Sequence, residues 1–348
     1  MAGLMIHLLM AEKLDINRSI SYYIGNIAPD AVSDWKSKDI THFRNEEDRN
    51  KSLSDLAIKT SPSDDFAEGV LLHLYTDWRW DLLARDEFIK KTGEDWLYNY
   101  RHELALSSSY AYHNTSWAKD IWNKMSLCDI SLYNKVSGAT ADEIHDLIVR
   151  NKHWHANNIT NFSDAFPPEF IENFINTVSD EYVNWKIQHE ITYYNSSPCV
   201  FEDFIDIPLM SDSELRLECI AKKPAIPEKK WVPGYVFKIC RNDNRVGELN
   251  VRIGYRDSLY YGGQIGYGID EQYRGHHYAE RACRLLVPLL KAHGMERVLI
   301  TNNHTNKASQ RTCERLGAKL IRVAPVPQWH DLYEEGNRLE NIFEWKIE

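Results

Sequence analysis

No stretch of the 348-residue sequence is long and apolar enough to cross a bilayer, so a helical membrane span is excluded. There is no internal repeat and no low-complexity tract, which removes solenoids and disordered chains from consideration. The six cysteines (Cys128, Cys199, Cys219, Cys240, Cys283 and Cys313) include no close pair of the kind that makes a zinc knuckle or a redox motif. The opening MAGLMIHLLMAEKL lacks a basic leader and a small-residue cleavage site, and it carries His7 and Glu12 inside its apolar run. It reads as an amphipathic helix kept by the protein, and together with the scattered thiols it predicts a cytoplasmic location.

What is present is an ordinary globular composition, 43% hydrophobic and 26% charged, in a chain long enough for two cores. The net charge of −10 is uneven: residues 1–197 hold 19 Lys+Arg against 30 Asp+Glu, and residues 198–348 hold 22 against 21. An acidic first half repels phosphate backbones and anionic lipid, so neither long nucleic acid nor membrane insertion is expected. Clustered carboxylates suit a divalent metal instead. The sequence does not specify whether the chain oligomerises.

Up to about Gln188, segments such as FAEGVLLHLYTDWRWDLLARDEFIKK and PPEFIENFINTVSDEYVNWKIQ space apolar residues at three and four, the period of helices. YYNSSPC, Tyr193 to Cys199, has the small and polar residues of a linker. Beyond it the pattern changes to the strand-like runs LRLECIA, GYVFKIC, VGELNVRIG, GQIGYGID, RVLIT, AKLIRV and NIFEWKI, with helical stretches at Tyr278 to Ala292 and Asn306 to Leu316. Helices interleaved late among strands predict an α/β domain.

In GGQIGYGIDEQYRGHHYAERACRLL a strand ending at Ile269 passes through a glycine-containing turn straight into a helix. Free N–H groups at such a helix start can cradle a pyrophosphate, and Gly275 allows close backbone approach. The alternative is a tight strand-to-helix turn with no ligand. After RVLIT the chain gives NNHTNKASQRTCERLG, with Asn306 and Ser309 opening a second helix.

Together these pieces resemble the GNAT superfamily of acyl-CoA N-acyltransferases over most of residues 202–348. The resemblance implies acetyl-CoA as cofactor, held by Ile269, Gln272, Arg274, Gly275, His276, His277, Tyr278, Ala279, Asn306 and Ser309, and an amine acceptor, expected to be a small molecule. His277 stands where the family keeps Gly or Ala. Cys313 falls where many members place the tyrosine that protonates the departing thiolate, and a thiol could donate that proton; the alternative is a small buried core residue. For the base, Glu248 in VGELNVRIG is the best-placed carboxylate, on the expectation that it is partly buried; the alternative is a solvent-facing partner of an arginine such as Arg252. Trp329, His330 and Asp331, with His276 and His277, are candidates for the acceptor pocket.

In the first half, His73 and Asp77 are four residues apart and share one helix face, with Asp81 a turn further on. Such a pair is a common half of a metal site. Each of His7, Asp30 and His42 upstream is, taken singly, equally a satisfied buried polar residue. The order His7, Asp30, His42, His73, Asp77 resembles the zinc-dependent phospholipases C and their single-strand nuclease relatives over roughly residues 1–190. That resemblance implies Zn2+ and phosphodiester hydrolysis. A third metal in that family needs a further His and Glu; His113 with Asp120, or His153 and His155, are the substitutes the sequence offers.

The expected fold is an α+β two-domain chain: an all-helical domain over 1–192, a linker over 193–201, and a GNAT-like α/β domain over 202–348 with a central mixed sheet. Three functions are expected to compete: an N-acetyltransferase fused to a metal-binding domain, a bifunctional phosphoesterase and acyltransferase, and a non-catalytic acetyl-CoA sensor.

Overall fold

Phe166, Phe170 and Phe174 recur every fourth residue, and all three rings pack on Trp80, with centroids 5.1, 6.0 and 4.9 Å away. Phe166, from the bend ahead of the helix Pro168–Asn195, and Phe170 and Phe174 on that helix supply the centre of the first core; Trp80 itself is fully buried, and its indole N–H donates to Tyr100 Oη at 2.7 Å. The computed structural model describes residues 2–14, 18–93, 96–133, 138–158, 161–207 and 209–348. The chain divides into two compact units, Met1–Glu190 and Ile191–Glu348. The helix Pro168–Asn195 carries that division and continues three residues into the segment read as a linker.

Among the described residues the first unit contains helices and no strand, including Leu4–Leu14, Ile20–Gly25, Trp35–Thr41, Asp65–Trp80 and Ala141–Asn157. Side chains fix where several begin. Asp64 accepts from Ala67 N ahead of Asp65–Trp80, and Thr140 with Glu143 forms a capping box ahead of Ala141–Asn157. Two glycines decide how closely two helices approach: a Cβ on Gly25 would meet Phe66 O at 2.1 Å, and one on Gly69 would meet Tyr22 O at 2.1 Å. Only residues without a side chain allow this backbone-on-backbone contact.

In the second unit, β1 (Leu215–Lys223), β2 (Gly234–Arg241), β3 (Asn244–Arg252) and β4 (Ile265–Ile269) form one sheet in the order β1-β2-β3-β4. β5 (Arg297–Asn303), β6 (Lys319–Pro325) and β7 (Leu339–Lys346) form a second, in the order β5-β7-β6. All five pairings are antiparallel, which corrects the expected mixed sheet. The physical reason lies between β4 and β5. They meet only ahead of β4, where Gln264 N donates to Leu299 O at 2.7 Å and Leu299 N donates to Gln264 Oε1 at 2.6 Å, and they then splay without a ladder.

The predicted helix over Tyr278 to Ala292 forms as two, Tyr278–Leu285 and Val287–Ala292, because Pro288 has no N–H to continue the first. The helix Lys307–Leu316 ends at Gly317, whose φ of +79° is the left-handed stop. Apolar faces of both sheets and these helices share one core around Phe237, Leu249, Val298, Ile300 and Phe343.

Glu340 on β7 is buried, and desolvation, aided by nearby Glu335, pushes its carboxyl up from 4.5 to about 7. The folded chain therefore keeps a proton that the unfolded chain loses. Stability from this residue is full below pH 4.5 and is lost as pH rises through about 7. Glu340→Gln is expected to flatten the decline in unfolding free energy across this interval, a slope of at most about 1.4 kcal/mol per pH unit, in denaturant titrations at successive pH values.

Candidate functional site

The turn after β4 delivers the residues expected to hold the cofactor. Ile269 ends β4, Gln272 lies in the 3-10 turn Glu271–Tyr273, and Arg274 turns its Nε back to Ile269 O at 3.1 Å. Gly275 has φ +86°, a left-handed backbone that favours glycine, and a Cβ there would meet nothing within 4 Å. His277, at φ +59° and ψ 22°, is also left-handed, a conformation that costs a non-glycine residue roughly 1 kcal/mol. His277 is the N-cap of the helix Tyr278–Leu285, and no side chain caps that terminus, so its first N–H groups are free for an anion.

The side chains around this turn point elsewhere. His276 stacks on Tyr278 at 5.4 Å, and the buried Tyr278 donates its hydroxyl to Glu214 Oε1 at 3.0 Å. Tyr278 and Ala279, both buried, thus offer a ligand their backbone and not their side chains. Arg281 anchors the helix to the entry of β1 by a bidentate pair to Asp212, at 3.0 and 2.7 Å. That pairing, against the opposing effect of burial, holds the Asp212 carboxyl down at about 2.

Across the splay, Asn306 is the N-cap of the helix Lys307–Leu316, its Oδ1 accepting from Ser309 N at 3.1 Å. Ser309 Oγ lies 2.9 Å from the hydroxyl of Tyr267, a β4 residue that the sequence reasoning missed. Cys313, one turn beyond Ser309, is fully buried; burial pushes its thiol up to about 12, and its Sγ accepts from Asn302 Nδ2 at 3.8 Å. Asn302 Oδ1 in turn accepts from Asn341 at 2.9 Å, whose Oδ1 lies 3.0 Å from His304 Nδ1. The signal for Tyr267 was the alternation in GYG, which puts its side chain on the face opposite a groove lined by Glu248 and Asn250.

That groove lies on the other face of the first sheet. Glu248 stands opposite Gly268 and Asn250 opposite Gly266, while Leu249 and Tyr267 pair on the reverse side. Glu248 is partly buried, its side chain 46% exposed, and it lies 3.6 Å from Arg245, so its ion-pair partner is Arg245 and not Arg252. A cavity of about 590 Å³ lined by Glu248, Asn250, Gly266 and Gly268 meets, at Asn250, a second of about 460 Å³ that reaches Trp231 and His330. Asn250 Oδ1 is buried with no hydrogen-bond partner. Trp329, His330 and Asp331 line an adjoining cavity of about 670 Å³. His330 is committed to structure there: Nε2 lies 2.9 Å from Ser258 O, and Nδ1 accepts from Leu332 N at 3.1 Å.

In the first unit all five expected metal ligands converge. His7 lies on Leu4–Leu14, Asp30 on the 3-10 turn Ala28–Ala31, His42 at the end of Trp35–Thr41, and His73 and Asp77 on Asp65–Trp80. Their ligand atoms form two groups, His7, Asp30, His73 and His42, His73, Asp77, each within 4.8 Å of one another. His73 Nδ1 donates to Asn26 O and His42 Nδ1 to Lys38 O, both at 2.8 Å. That leaves both Nε2 atoms as acceptors, yet they face each other at 3.1 Å. Burial holds both imidazoles below their usual range and so neutral. Two lone pairs opposed in a dry site repel unless a cation lies between them.

His7 is stacked on His73 at 3.8 Å, and its Nε2 lies 3.3 Å from Asp77 Oδ1. Asp30 and Asp77 are partly neutralised already, by Lys38 at 2.8 Å and Arg44 at 3.4 Å. Asp81 is not among the ligands; Arg44, Arg49 and Arg85 surround it at 2.8 to 3.0 Å. Of the substitutes for a third metal, His155 is buried against Tyr112, and His113 is bound to the His155 carbonyl at 2.9 Å. Asp120 is paired with Lys124, and His153 lies beside Asn157. None of these four joins either group of clustered ligands.

Residues 179–319 match the acetyltransferase (GNAT) domain family, so this part of the chain is a GNAT acetyltransferase domain. No curated protein matches the chain. Among solved structures, the microcin C7 self-immunity acetyltransferase MccE, in complex with acetyl-CoA and AMP, is 20% identical; the match covers 33% of this chain and 61% of that one, with a TM-score of 0.26. An acetyltransferase that modifies the N-terminal serine of ribosomal protein L7/L12 from Salmonella typhimurium is 18% identical over 35% of this chain and 67% of its own, TM-score 0.27. RimL, a ribosomal L7/L12 alpha-N-protein acetyltransferase, is 14% identical over 43% and 99%, TM-score 0.29. No described helix is long and apolar enough to cross a membrane.

The left-handed turn makes opposite demands at its two ends. Gly275→Val is expected to weaken acetyl-CoA binding at least about tenfold by calorimetry, because strain and a side chain enter the turn expected to cradle the phosphates. His277→Gly is expected to raise the unfolding midpoint by a few degrees, about 1 kcal/mol of relieved strain.

Proposed function

We propose that the protein is an acetyl-CoA-dependent N-acetyltransferase. The observation that carries this is the splay between β4 and β5, flanked by an uncapped helix N-terminus at Gly275 on one side and by Asn306 and Ser309 on the other. Pantetheine fits such a gap by pairing with the unsatisfied edge of β4, while the pyrophosphate lies on the free N–H groups of residues 276–279. The acceptor amine approaches from the opposite face, along the groove between Glu248 and Trp231. Glu248, on that face and in contact with solvent, takes the ammonium proton and passes it to water, leaving the amine lone pair free to attack the thioester carbonyl.

Full-length protein with acetyl-CoA and a panel of amines, including small diamines and a peptide with a free N-terminus, tests this through release of CoA thiol. Amine-dependent release is expected, with Glu248→Gln lowering kcat about 10²-fold. Tight acetyl-CoA binding with no release across the panel would assign the chain the role of a sensor instead.

A second function is favoured by the opposed Nε2 atoms of His42 and His73. The cluster would hold a divalent cation through His7, Asp30, His42, His73 and Asp77, and the nitrogen and carboxylate donors suit Zn2+. A cation held there supplies Lewis acidity toward a phosphoester. The chain's own contribution is to fix the tautomers of His42 and His73 through the Lys38 and Asn26 carbonyls, and to offset the carboxylates with Lys38 and Arg44. Elemental analysis of protein as purified is expected to give one to two metal ions per chain, falling in His73→Ala and in Asp77→Ala; unchanged stoichiometry in both variants defeats the assignment.

A further inference from the structure

The leaving thiolate needs a hydrogen-bond donor, and the residue expected from the sequence, Cys313, is out of its reach. Cys313 has no exposed surface, and its sulfur already accepts from Asn302. Tyr267 comes to the same place from the other wall. It projects from β4, whereas Ser309 and Cys313 belong to the helix that follows β5, so its hydroxyl spans the splay and meets Ser309 Oγ at 2.9 Å. Cys313 faces the same hydroxyl. Unlike Cys313, Tyr267 is only half-buried.

We propose that Tyr267 donates its hydroxyl proton to the departing CoA sulfur, with Ser309 orienting the phenol. This role rests on the acetyltransferase function above. The amine nitrogen bonds to the acetyl carbonyl carbon, the tetrahedral adduct collapses, and the C–S bond breaks with its electron pair on sulfur. Sulfur takes the Tyr267 proton to give free CoA thiol, the phenolate regains a proton from water through Ser309, and the proton shed by the amine leaves through Glu248 to solvent. The titratable groups facing Tyr267 among the described residues are two thiols, Cys283 and Cys313, which burial keeps neutral. Burial also pushes the phenol itself up, so it stays a donor across the working range and adds no alkaline limb of its own to the rate profile.

The test uses the full chain with acetyl-CoA and hydroxylamine as the acceptor probe, alongside calorimetric binding of CoA and of desulfo-CoA, which lacks the sulfur. Tyr267→Phe removes one oxygen and is expected to keep the wild-type unfolding midpoint. It lowers kcat about 10²-fold with KM for acetyl-CoA changed less than about threefold, and this loss exceeds that of Cys313→Ala by at least about tenfold. Wild type binds CoA several-fold more tightly than desulfo-CoA, about the worth of one hydrogen bond, and Tyr267→Phe binds the two alike. A Tyr267→Phe protein that keeps its kcat, or that keeps its preference for CoA over desulfo-CoA, overturns the assignment. Wild type that binds acetyl-CoA and releases no thiol with hydroxylamine or the amine panel removes the transferase function, and the role of Tyr267 with it; that failure is read in the wild type, before any variant.

Discussion

The separation of β4 from β5 is the constraint on which the second unit is organised. Two hydrogen bonds through Gln264 and Leu299 pin the strands together ahead of β4, and from that point their backbone edges diverge. An unsatisfied strand edge in a protein interior is costly unless something pairs with it. The β4 edge, whose Gly268 is exposed, is open to water. Everything placed around it follows: the glycine turn at one mouth, the Asn306 cap at the other, and Tyr267 reaching across the middle.

The same splay separates two faces with different chemistry. Strand alternation puts Leu249 and Tyr267 toward the helices and Glu248, Asn250, Gly266 and Gly268 toward the open groove. No helix lies between β1 and β2, where the chain forms only the 3-10 turn Pro227–Lys229, and Trp231 from that connection lines the groove. In the proposed transferase the acyl donor and the acceptor approach one carbon from opposite sides. The polar chain His304–Asn341–Asn302–Cys313 fixes the floor beneath them, which is why Cys313 is structural in its contacts.

In the first unit the organising feature is electrostatic. Gly25 and Gly69 let two helices touch backbone to backbone, and that contact brings the Asn26 carbonyl to His73 Nδ1. With the Lys38 carbonyl performing the same service for His42, both rings present lone pairs inward. Buried carboxylates at Asp30 and Asp77 are held well below the usual range: burial raises them, and the Lys38 ammonium beside Asp30 and the charge of the chain's amino terminus beside Asp77 more than offset it. A site of this composition is arranged for positive charge, whether from the surrounding lysine and arginine side chains or from a metal.

Local pattern was legible because it depends on near neighbours. The seven strand-like runs, the two late helices and the helical first half each follow from apolar spacing and turn residues, and all are present in the structure. The i, i+4 pair His73 and Asp77 declared its shared face in the same way. What spacing could not decide was which elements meet. Sheet continuity depends on whether β4 and β5 pair over their length, and that is set by the packing of residues far apart in the chain. The exposure of Glu248, the burial of Cys313 and the contact of Tyr267 with Ser309, 42 residues away, are likewise outcomes of tertiary packing. The sequence by itself determined the elements and the glycine turn, because those are short-range properties of the backbone. Which hydroxyl stands in the gap was decided only when two separate walls closed on it.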